Sequence, residues 1–515
     1  MNNINKKIGG GSYFGKSLNI NEDRMEKLEE QLPTNLKKYD VNKSAFTAGH
    51  GITPDTQLDG AANRIEALDR DLKVTTWGNK DFTLYNDIAK EDVDQTVLKY
   101  TVYYSHGRTG HSLFQPEIGI GDVNNPNEKQ KVINIKFIAD THVTSIALQR
   151  ANTIVDALKV QEYAAISAVV KTDEWAMFYG DADLTSGQEG EGLQFDGLFK
   201  LIDPANHIDL RGGRLSPAAL NMAARKIAEG YGTATDAYMP VGIKADFINQ
   251  HLNGQRIMLP GQTGGMTTGL DIDKFLSAHG DIRMQGSTIM DSDNKLDFNA
   301  PVSATAPMAP ALSATVTADA GGQWHATDKT DSKGEVVLNK EVGVEQSYVA
   351  VMVSRHGDSR PSPVVTATPA NATDAVTLTV TPYAMQNTIP DYVAIYRKSN
   401  FDSDNLSANT DSAGNRGEYY LIGKVAVREQ QGSTITFVDT NDRIAGCGDV
   451  FVLQNRPDTV ALKEFIPLSK LNLAVTTTAT SFVVLNYVAL ALYFPRRAAV
   501  IENVVYSRIE DLELS

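Results

Sequence analysis

The sequence predicts an α+β fold in which a β-sandwich interrupts a discontinuous core. Three observations support this prediction. A helical pattern runs from Ala157 to Tyr179 and ends at Gly180; at 1.5 Å rise per residue this helix is roughly 35 Å long, enough to span a small domain. Seven short strand-like runs with turn signals between them follow between residues 312 and 439, which is typical of a sandwich. Strand-rich sequence then resumes after residue 450.

The N-terminal part divides into two segments. Residues 1–43 are rich in charge, and Asn21 can cap a short helix that Pro33 ends. Residues 44–95 are predicted to be an extended arm that includes a short helix over residues 61–72. Neither segment has the composition to bury much surface by itself.

Residues 96–139 contain two strand-like runs, Thr96–Tyr104 and Lys131–Ile138, joined by a long polar segment with Gly and Pro. A two-stranded excursion of this length is marginally stable alone. We therefore expect it to lie on a neighbouring subunit.

Residues 140–304 hold the long helix and further helices at Pro217–Glu229 and Lys244–Leu252. Ser216 is the predicted cap of the first, since Pro217 suits its first position. We also predict a strand at Arg283–Asp291.

Residues 305–450 are predicted to form the inserted sandwich. The predicted strands are Leu312–Ala318, Ser347–Ser354, Val364–Thr368, Ala375–Thr381, Asp391–Lys398, Tyr419–Val427 and Thr434–Asp439. The runs Tyr348-Val-Ala-Val-Met-Val-Ser, Ser359-Arg-Pro-Ser-Pro and Tyr392-Val-Ala-Ile-Tyr-Arg397 are similar to those of fibronectin-type-III and bacterial Ig-like modules. Residues 451–515 return to the core through strands at 460–475, 481–494 and 499–508.

Composition excludes several classes of protein. The 515 residues carry a net charge of −15, which argues against a general nucleic-acid binder. The single cysteine, Cys447, rules out an internal disulfide framework and is predicted to be a small turn residue. No secretory signal is expected, and the apolar tract Ser481–Phe494 is too short for a bilayer span.

No catalytic, cofactor-binding or metal site is predicted. His106 and His111 flank a loop tip without the further ligands that a metal needs. Asp181 and Asp183 have the spacing of metal-nucleotide carboxylates, but they follow a helix end, where Asp favours turns.

Three more acidic residues could form a carboxylate pair for glycoside hydrolysis: Glu189, Glu191 and Asp196. The glycines around them favour a mobile loop. The Gly-rich segment 261–269 lacks the Gly-Lys-Ser/Thr of a phosphate-binding loop.

Three runs resemble one family: Glu174-Trp-Ala-Met-Phe-Tyr-Gly-Asp181, Glu189-Gly-Glu-Gly-Leu-Gln-Phe-Asp-Gly-Leu198 and Tyr231-Gly-Thr-Ala-Thr-Asp-Ala-Tyr-Met-Pro240. They are similar to the major capsid proteins of large contractile-tailed, Twort-like phages, which have the Hong-Kong-97-type fold. The long helix resembles the spine helix of that fold, and the Phe-Asp-Gly-Leu run resembles its strand and turn. The resemblance covers most of residues 44–300 and 455–515.

The resemblance implies a shell subunit that forms hexamers and pentamers around double-stranded DNA in the virion, made in the host bacterial cytoplasm. It implies an N-arm, an extended loop, and peripheral and axial domains, with scaffold, portal and minor capsid or decoration proteins as possible partners. It implies no catalytic residue, no cofactor, no membrane contact and no specific nucleic-acid binding. Relatives remove an N-terminal segment, so residues 1–43 are a candidate propeptide and the bond between Lys43 and Ser44 is the candidate cleavage site. We expect the sandwich to face outward and to be dispensable for shell closure.

Two alternatives remain open at this point. One is a polysaccharide-active enzyme with an Ig-like carbohydrate module, which predicts a monomer with a deep acidic cleft. The other is an encapsulin-like nanocompartment, which predicts particles that hold protein cargo.

Overall fold

The computed structural model describes residues 82–105, 117–118, 127–150, 157–184, 193–252, 272–292, 294–298, 300, 302–303, 306–330, 336–354, 357–382, 390–399, 419–427, 434–474 and 478–506. The helices in these ranges are α1 Thr83–Asp87, α2 Ile146–Arg150, α3 Ala157–Tyr179, α4 Leu198–Leu201, α5 Pro217–Glu229, α6 Val241–Leu252 and α7 Thr288–Ser292. The strands are β1 Lys90–Asp92, β2 Val97–Ser105, β3 Asn127–Asn134, β4 Lys136–Ser145, β5 His207–Gly213, β6 Asp236–Pro240, β7 Lys274–Ser277, β8 Gly280–Ser287, β9 Ala311–Thr317, β10 Lys329–Thr330, β11 Val336–Leu338, β12 Gln346–Ser354, β13 Gly357–Asp358, β14 Val365–Ala367, β15 Ala375–Thr381, β16 Tyr392–Lys398, β17 Tyr419–Ala426, β18 Ile435–Asp439, β19 Gly448–Leu453, β20 Val460–Asn472, β21 Ala479–Leu492 and β22 Ala498–Val504.

The long helix α3 lies on a four-stranded sheet of order β1-β20-β21-β4. Strand β1 is parallel to β20, and the other pairs are antiparallel. Ala165 and Val169 of the helix pack against Phe482 and Val484 of β21. The predicted bounds of α3 are confirmed, and the apolar tract near residue 481 is a buried strand as predicted.

A six-stranded sheet of order β5-β22-β19-β6-β8-β7 forms the second part of the core. Its strands lie at residues 207–287 and 448–504 in the sequence, so this core is discontinuous. Helix α5 begins as predicted, because Ser216 Oγ accepts a hydrogen bond from the Ala219 N–H at 3.3 Å. Its residues Leu220 and Ile227 pack with Val450 and other apolar side chains of the sheet. The mixed sheets and helices together make an α+β fold.

Two further sheets face each other across a shared apolar core. One has the order β13-β12-β16-β17, with β14 also paired to β12, and the other has the order β18-β15-β9. Trp324, Tyr348, Leu378 and Ile395 are buried between them. Each of the seven strands that the sequence predicted has a counterpart within one or two residues.

Strands β2 and β3 form the predicted antiparallel hairpin. The second predicted run, 131–138, is not one strand, since it divides at Ile135 between β3 and β4. Ile135 is buried at the point where the chain passes from the hairpin to the four-stranded sheet. Apolar residues lie on both sides of Ile135, so the sequence pattern alone does not show that one strand ends there and another begins.

Two other predictions were wrong in part. The strand expected at Arg283–Asp291 ends at Ser287 and gives way to α7, where Ile289 and Met290 are buried. The strand and turn expected around Phe195 are instead an irregular approach to α4. Gly197 is the N-cap residue of α4. This position has no room for a side chain, because a Cβ there would lie 2.6 Å from the Ala176 carbonyl oxygen.

The arm predicted over residues 44–95 does not extend to its stated end. Phe82, Leu84, Tyr85 and Ile88 are buried in the same core as the long helix, so this end of the segment belongs to the folded core. The other domain boundaries that the sequence suggested stay predictions. The helix expected at residues 61–72 lies outside the described residues.

Candidate functional site

The long helix holds the short helix α1 through one buried carboxylate. Glu174 accepts hydrogen bonds from the backbone N–H groups of Thr83 at 3.1 Å, Leu84 at 2.9 Å and Tyr85 at 2.6 Å. The first N–H groups of a helix have no acceptor within it, so Glu174 satisfies them from another element. Burial raises the pKa of Glu174, and these hydrogen bonds oppose the rise.

The neighbouring residue ties the same helix to the sheet beneath it. Asn486 Nδ2 of β21 donates to Asp173 Oδ2 at 2.5 Å. Burial raises the pKa of Asp173 to about 7, while the hydrogen bond from Asn486 and the charge of Lys90 act in the opposite direction. The C-terminal half of α3 is thus fixed on two sides by buried polar contacts.

The face of β4 that points away from the helix is apolar and exposed. His142 points toward the helix, because its Nδ1 lies 2.6 Å from Gln161 Oε1 of α3. Side chains at the odd-numbered positions of β4 therefore face outward. Of these, Phe137 is 61% and Val143 is 62% exposed. The Phe137 ring packs edge-on against Tyr487, with 4.7 Å between ring centroids.

The apolar exposure continues on adjacent elements. On the β2–β3 hairpin, Val97 is 50% and Val132 is 54% exposed. Leu471, near the end of β20 and paired with Val483, is also exposed. We call the exposed side chains Phe137, Val143, Val97, Val132 and Leu471 the outer apolar surface. Exposed apolar patches mark interaction sites on folded proteins.

The long helix α3 has a buried apolar face. Val169, Val170 and Met177 are buried and Leu158 packs at the edge of the core. Ile166 is an exception, since it is 40% exposed.

Asp181 and Asp183 form a turn, as predicted, with the Asp183 N–H donating to Asp181 Oδ1 at 2.9 Å. Lys200 Nζ lies 2.5 Å from Asp181, 2.7 Å from Asp183 and 2.9 Å from Asp196. These carboxylates therefore neutralise an ammonium group. In the described part of the chain, no cluster of three or more His, Cys, Asp or Glu side chains is arranged to hold a metal ion.

Only some of the other candidate residues from the sequence lie in the described part of the chain. Cys447 is half-buried after a turn, and its N–H donates to the Ile444 carbonyl oxygen at 3.1 Å. The candidates that lie outside the described residues are Lys43, Ser44, His106, His111, Glu189, Glu191 and the loop at 261–269. Within the described ranges, no helix is both long and apolar enough to cross a membrane.

The chain is similar to solved capsid structures, at low identity. It shares 8% identity with the capsid of a native GTA particle, over 88% of this chain and 100% of that one, with a TM-score of 0.41. The capsid of cyanophage P-SCSP1u gives 11% identity, 92% and 99% coverage, and a TM-score of 0.38. No family model matches the chain.

The sequence relatives are much more similar. The major capsid protein of Staphylococcus phage K is 41% identical over 486 residues, which cover 93% of this chain and 99% of that protein. The major capsid protein of Staphylococcus phage S25-3 gives the same identity and coverage. These relatives do not favour an enzyme or a nanocompartment. The chain therefore belongs to the family of major capsid proteins of Staphylococcus phage K-like, Twort-like phages, and it is a capsid shell protein.

Proposed function

We propose that the subunits assemble as hexamers and pentamers into an icosahedral head shell that encloses double-stranded DNA. The outer apolar surface is the observation that carries this proposal. Burying an aliphatic or aromatic side chain is worth roughly 1.5–3 kcal/mol, so leaving five of them in water is costly unless a neighbour covers them. Closed symmetric assemblies supply such a neighbour to every subunit.

The proposed fold is of the Hong-Kong-97 type. The four-stranded sheet with α3 corresponds to the peripheral domain, the six-stranded sheet to the axial domain, and the β2–β3 hairpin to the extended loop. The two sheets between residues 306 and 439 correspond to an Ig-like module within the proposed insertion 305–450. A 23-residue helix laid across long antiparallel strands supports this assignment.

We propose that the role is structural and non-enzymatic, and that the protein acts in the virion after synthesis in the host cytoplasm. We propose scaffold, portal and minor capsid or decoration proteins as its partners. The clustered carboxylates around Lys200 support a structural role, because each already faces a cation.

Negative-stain microscopy of the purified full chain tests the proposal. Large closed particles, or capsomers that close on addition of a scaffold, are expected. A monomer under all conditions would contradict the shell, and particles that copurify with a single protein cargo would favour a nanocompartment.

The net charge of −15 indicates that packaged DNA is confined without being tightly bound. We expect free subunits to show no gel shift with duplex DNA at physiological salt. Micromolar, salt-sensitive binding would contradict this, because it requires several Lys or Arg contacts to phosphate.

A further inference from the structure

The sandwich contacts the rest of the subunit at the end of the long helix. Lys424 Nζ of β17 donates to the Tyr179 carbonyl oxygen at 3.3 Å and lies 3.7 Å from the centre of the Trp175 ring. The last carbonyl groups of a helix lack partners within it, so Lys424 supplies a hydrogen-bond donor to one of them. The ring adds a cation–π contact.

Backbone groups also meet at this joint, where the Leu421 N–H donates to the Asn294 carbonyl oxygen at 2.9 Å. A cavity of about 360 Å³ lies beside it, lined by residues that include Phe199, Asn294 and Lys424. Arg443 also lines the cavity, pairs with Asp449 at 2.6 Å and stacks over the Phe199 ring.

A second contact joins the sandwich to β5, the edge strand of the six-stranded sheet. Arg211 Nη1 donates to the Asn441 carbonyl oxygen at 2.9 Å, and its Nη2 donates to Gln323. In the opposite direction, Lys329 Nζ donates to the Leu210 carbonyl oxygen at 2.8 Å. Gly212 has φ +74° and leaves room for Leu338, whose Cδ2 would lie 2.9 Å from a Cβ at that position.

A buried polar network connects this second contact to the interior of the sandwich. Arg397 is buried and bonds Asp439 at 2.6 Å and Asn441 Oδ1 at 2.5 Å. Asn441 Nδ2 in turn donates to Glu341 at 2.6 Å. Buried charges that are fully paired favour one arrangement, since any other leaves a charge unsatisfied. The network therefore fixes Asn441, and with it the acceptor of Arg211, to the sandwich core.

We propose that the sandwich is an internal brace, which holds the C-terminal end of α3 at a fixed position relative to β5. A rigid body attached at both points limits the relative movement of the two sheets of the core. Given the proposed shell function, subunits close into shells of uniform size only when both contacts are made. A sandwich that braces the core is not dispensable, which contradicts the expectation from the sequence.

The test breaks each contact with a side chain of similar size. Lys424→Met keeps an apolar side chain of similar length and removes the Nζ donor, while Arg211→Gln removes the guanidinium group. Lys398→Met on β16 and Arg225→Gln on α5 are matched controls, since they remove the same charges elsewhere. Each variant is assembled in parallel with the wild type, and the distribution of particle diameters is measured by electron microscopy.

A brace works only if both ends are attached. We therefore expect each single variant to broaden the diameter distribution at least twofold, and the double variant to add little to either. Hydrogen exchange of the unassembled subunits checks the fold, with faster exchange expected only around residues 177–180 and 421–424 for Lys424→Met and around 209–213 and 441–444 for Arg211→Gln.

Four results decide the question. Uniform shells from both single variants, or a double variant whose effect is the sum of two independent ones, would overturn the brace. Absence of shells from the wild type under all conditions would overturn the proposed function instead. Broad distributions from the control variants would show that lost charge, and not the brace, controls shell size.

Discussion

Glu174→Gln is the most direct test of how the long helix holds the chain that leads into the hairpin. The substitution keeps the shape of the side chain and removes its charge. The amide oxygen can still accept from Thr83 and Leu84, which share Glu174 Oε1. The amide nitrogen then faces the Tyr85 N–H, which now donates to Oε2 at 2.6 Å, so two donors meet.

The expected cost follows from these contacts. A hydrogen bond to a charged group contributes roughly 1.5–3 kcal/mol, and a buried N–H left without an acceptor costs about 1–3 kcal/mol. Glu174 is completely buried, so water cannot replace the lost acceptor. We expect local opening of α1 to become easier by about 3 kcal/mol, which corresponds to roughly a 100-fold faster exchange of the protected amides.

Hydrogen exchange resolved at Leu84 and Tyr85 measures this effect, because first-turn amides owe their protection to an acceptor outside the helix. Glu162→Gln on the same helix is the matched control. Glu162 pairs with Lys470 near the surface, where ion pairs contribute about 0–1 kcal/mol, so its exchange should change at most a few-fold. Exchange at Leu84 and Tyr85 that stays within threefold of the wild type in Glu174→Gln would refute the proposed cap.

Three further predictions concern other parts of the chain. Deleting residues 107–127, between the hairpin strands, should leave soluble subunits or small capsomers by electron microscopy, and full-size shells would contradict this. The intact mass of protein from mature virions should match a chain that begins at Ser44, whereas a full-length mass would exclude cleavage there. Burial lowers the pKa of Lys424 from 10.5 to about 7, with the charge of Asp181 opposing and that of Arg443 assisting. The penalty for burying the ammonium group is then fully present below pH 7 and disappears as the pH rises toward 10.5, so wild-type stability should rise by at most about 2 kcal/mol between pH ~7.5 and ~9.5. Lys424→Met should lack this rise in thermal unfolding, and parallel curves for the two proteins would contradict the assignment.

The elements with strong local signals could be predicted from sequence. Helix α3 has a long uninterrupted pattern and a terminating Gly180, and α5 has a Ser216 cap and a proline at its first position. The strands of the sandwich are short, rich in β-branched residues and separated by turns. In each case the information lies within a few neighbouring residues, which is what a pattern can report.

Other elements could not be predicted, because their surroundings come from distant parts of the chain. Strand β19 is buried along its whole length between β6 and β22, so it shows no alternation that would distinguish it from an apolar loop. Glu174 lies in a helix between Asp173 and Trp175, and the residues that donate hydrogen bonds to it precede it by about ninety residues. The sequence signal that could have identified Glu174 was a carboxylate on the buried face of a helix, because a buried carboxylate requires hydrogen-bond donors.

The residues that break the expected patterns are those that point to function. An alternating strand with one covered face should carry polar side chains on the other, yet β4 places Phe137 and Val143 there. A lysine on the sandwich should reach water, yet Lys424 lies against the end of a helix. The exposed apolar side chains of β4 become favourable only against a neighbouring subunit, whereas the position of Lys424 depends on contact with the core of the same subunit. Sequence patterns within one element do not predict a residue that makes its contact outside that element. In this chain, one such failure marks the proposed shell interface on β4, and the other marks the proposed brace at β17.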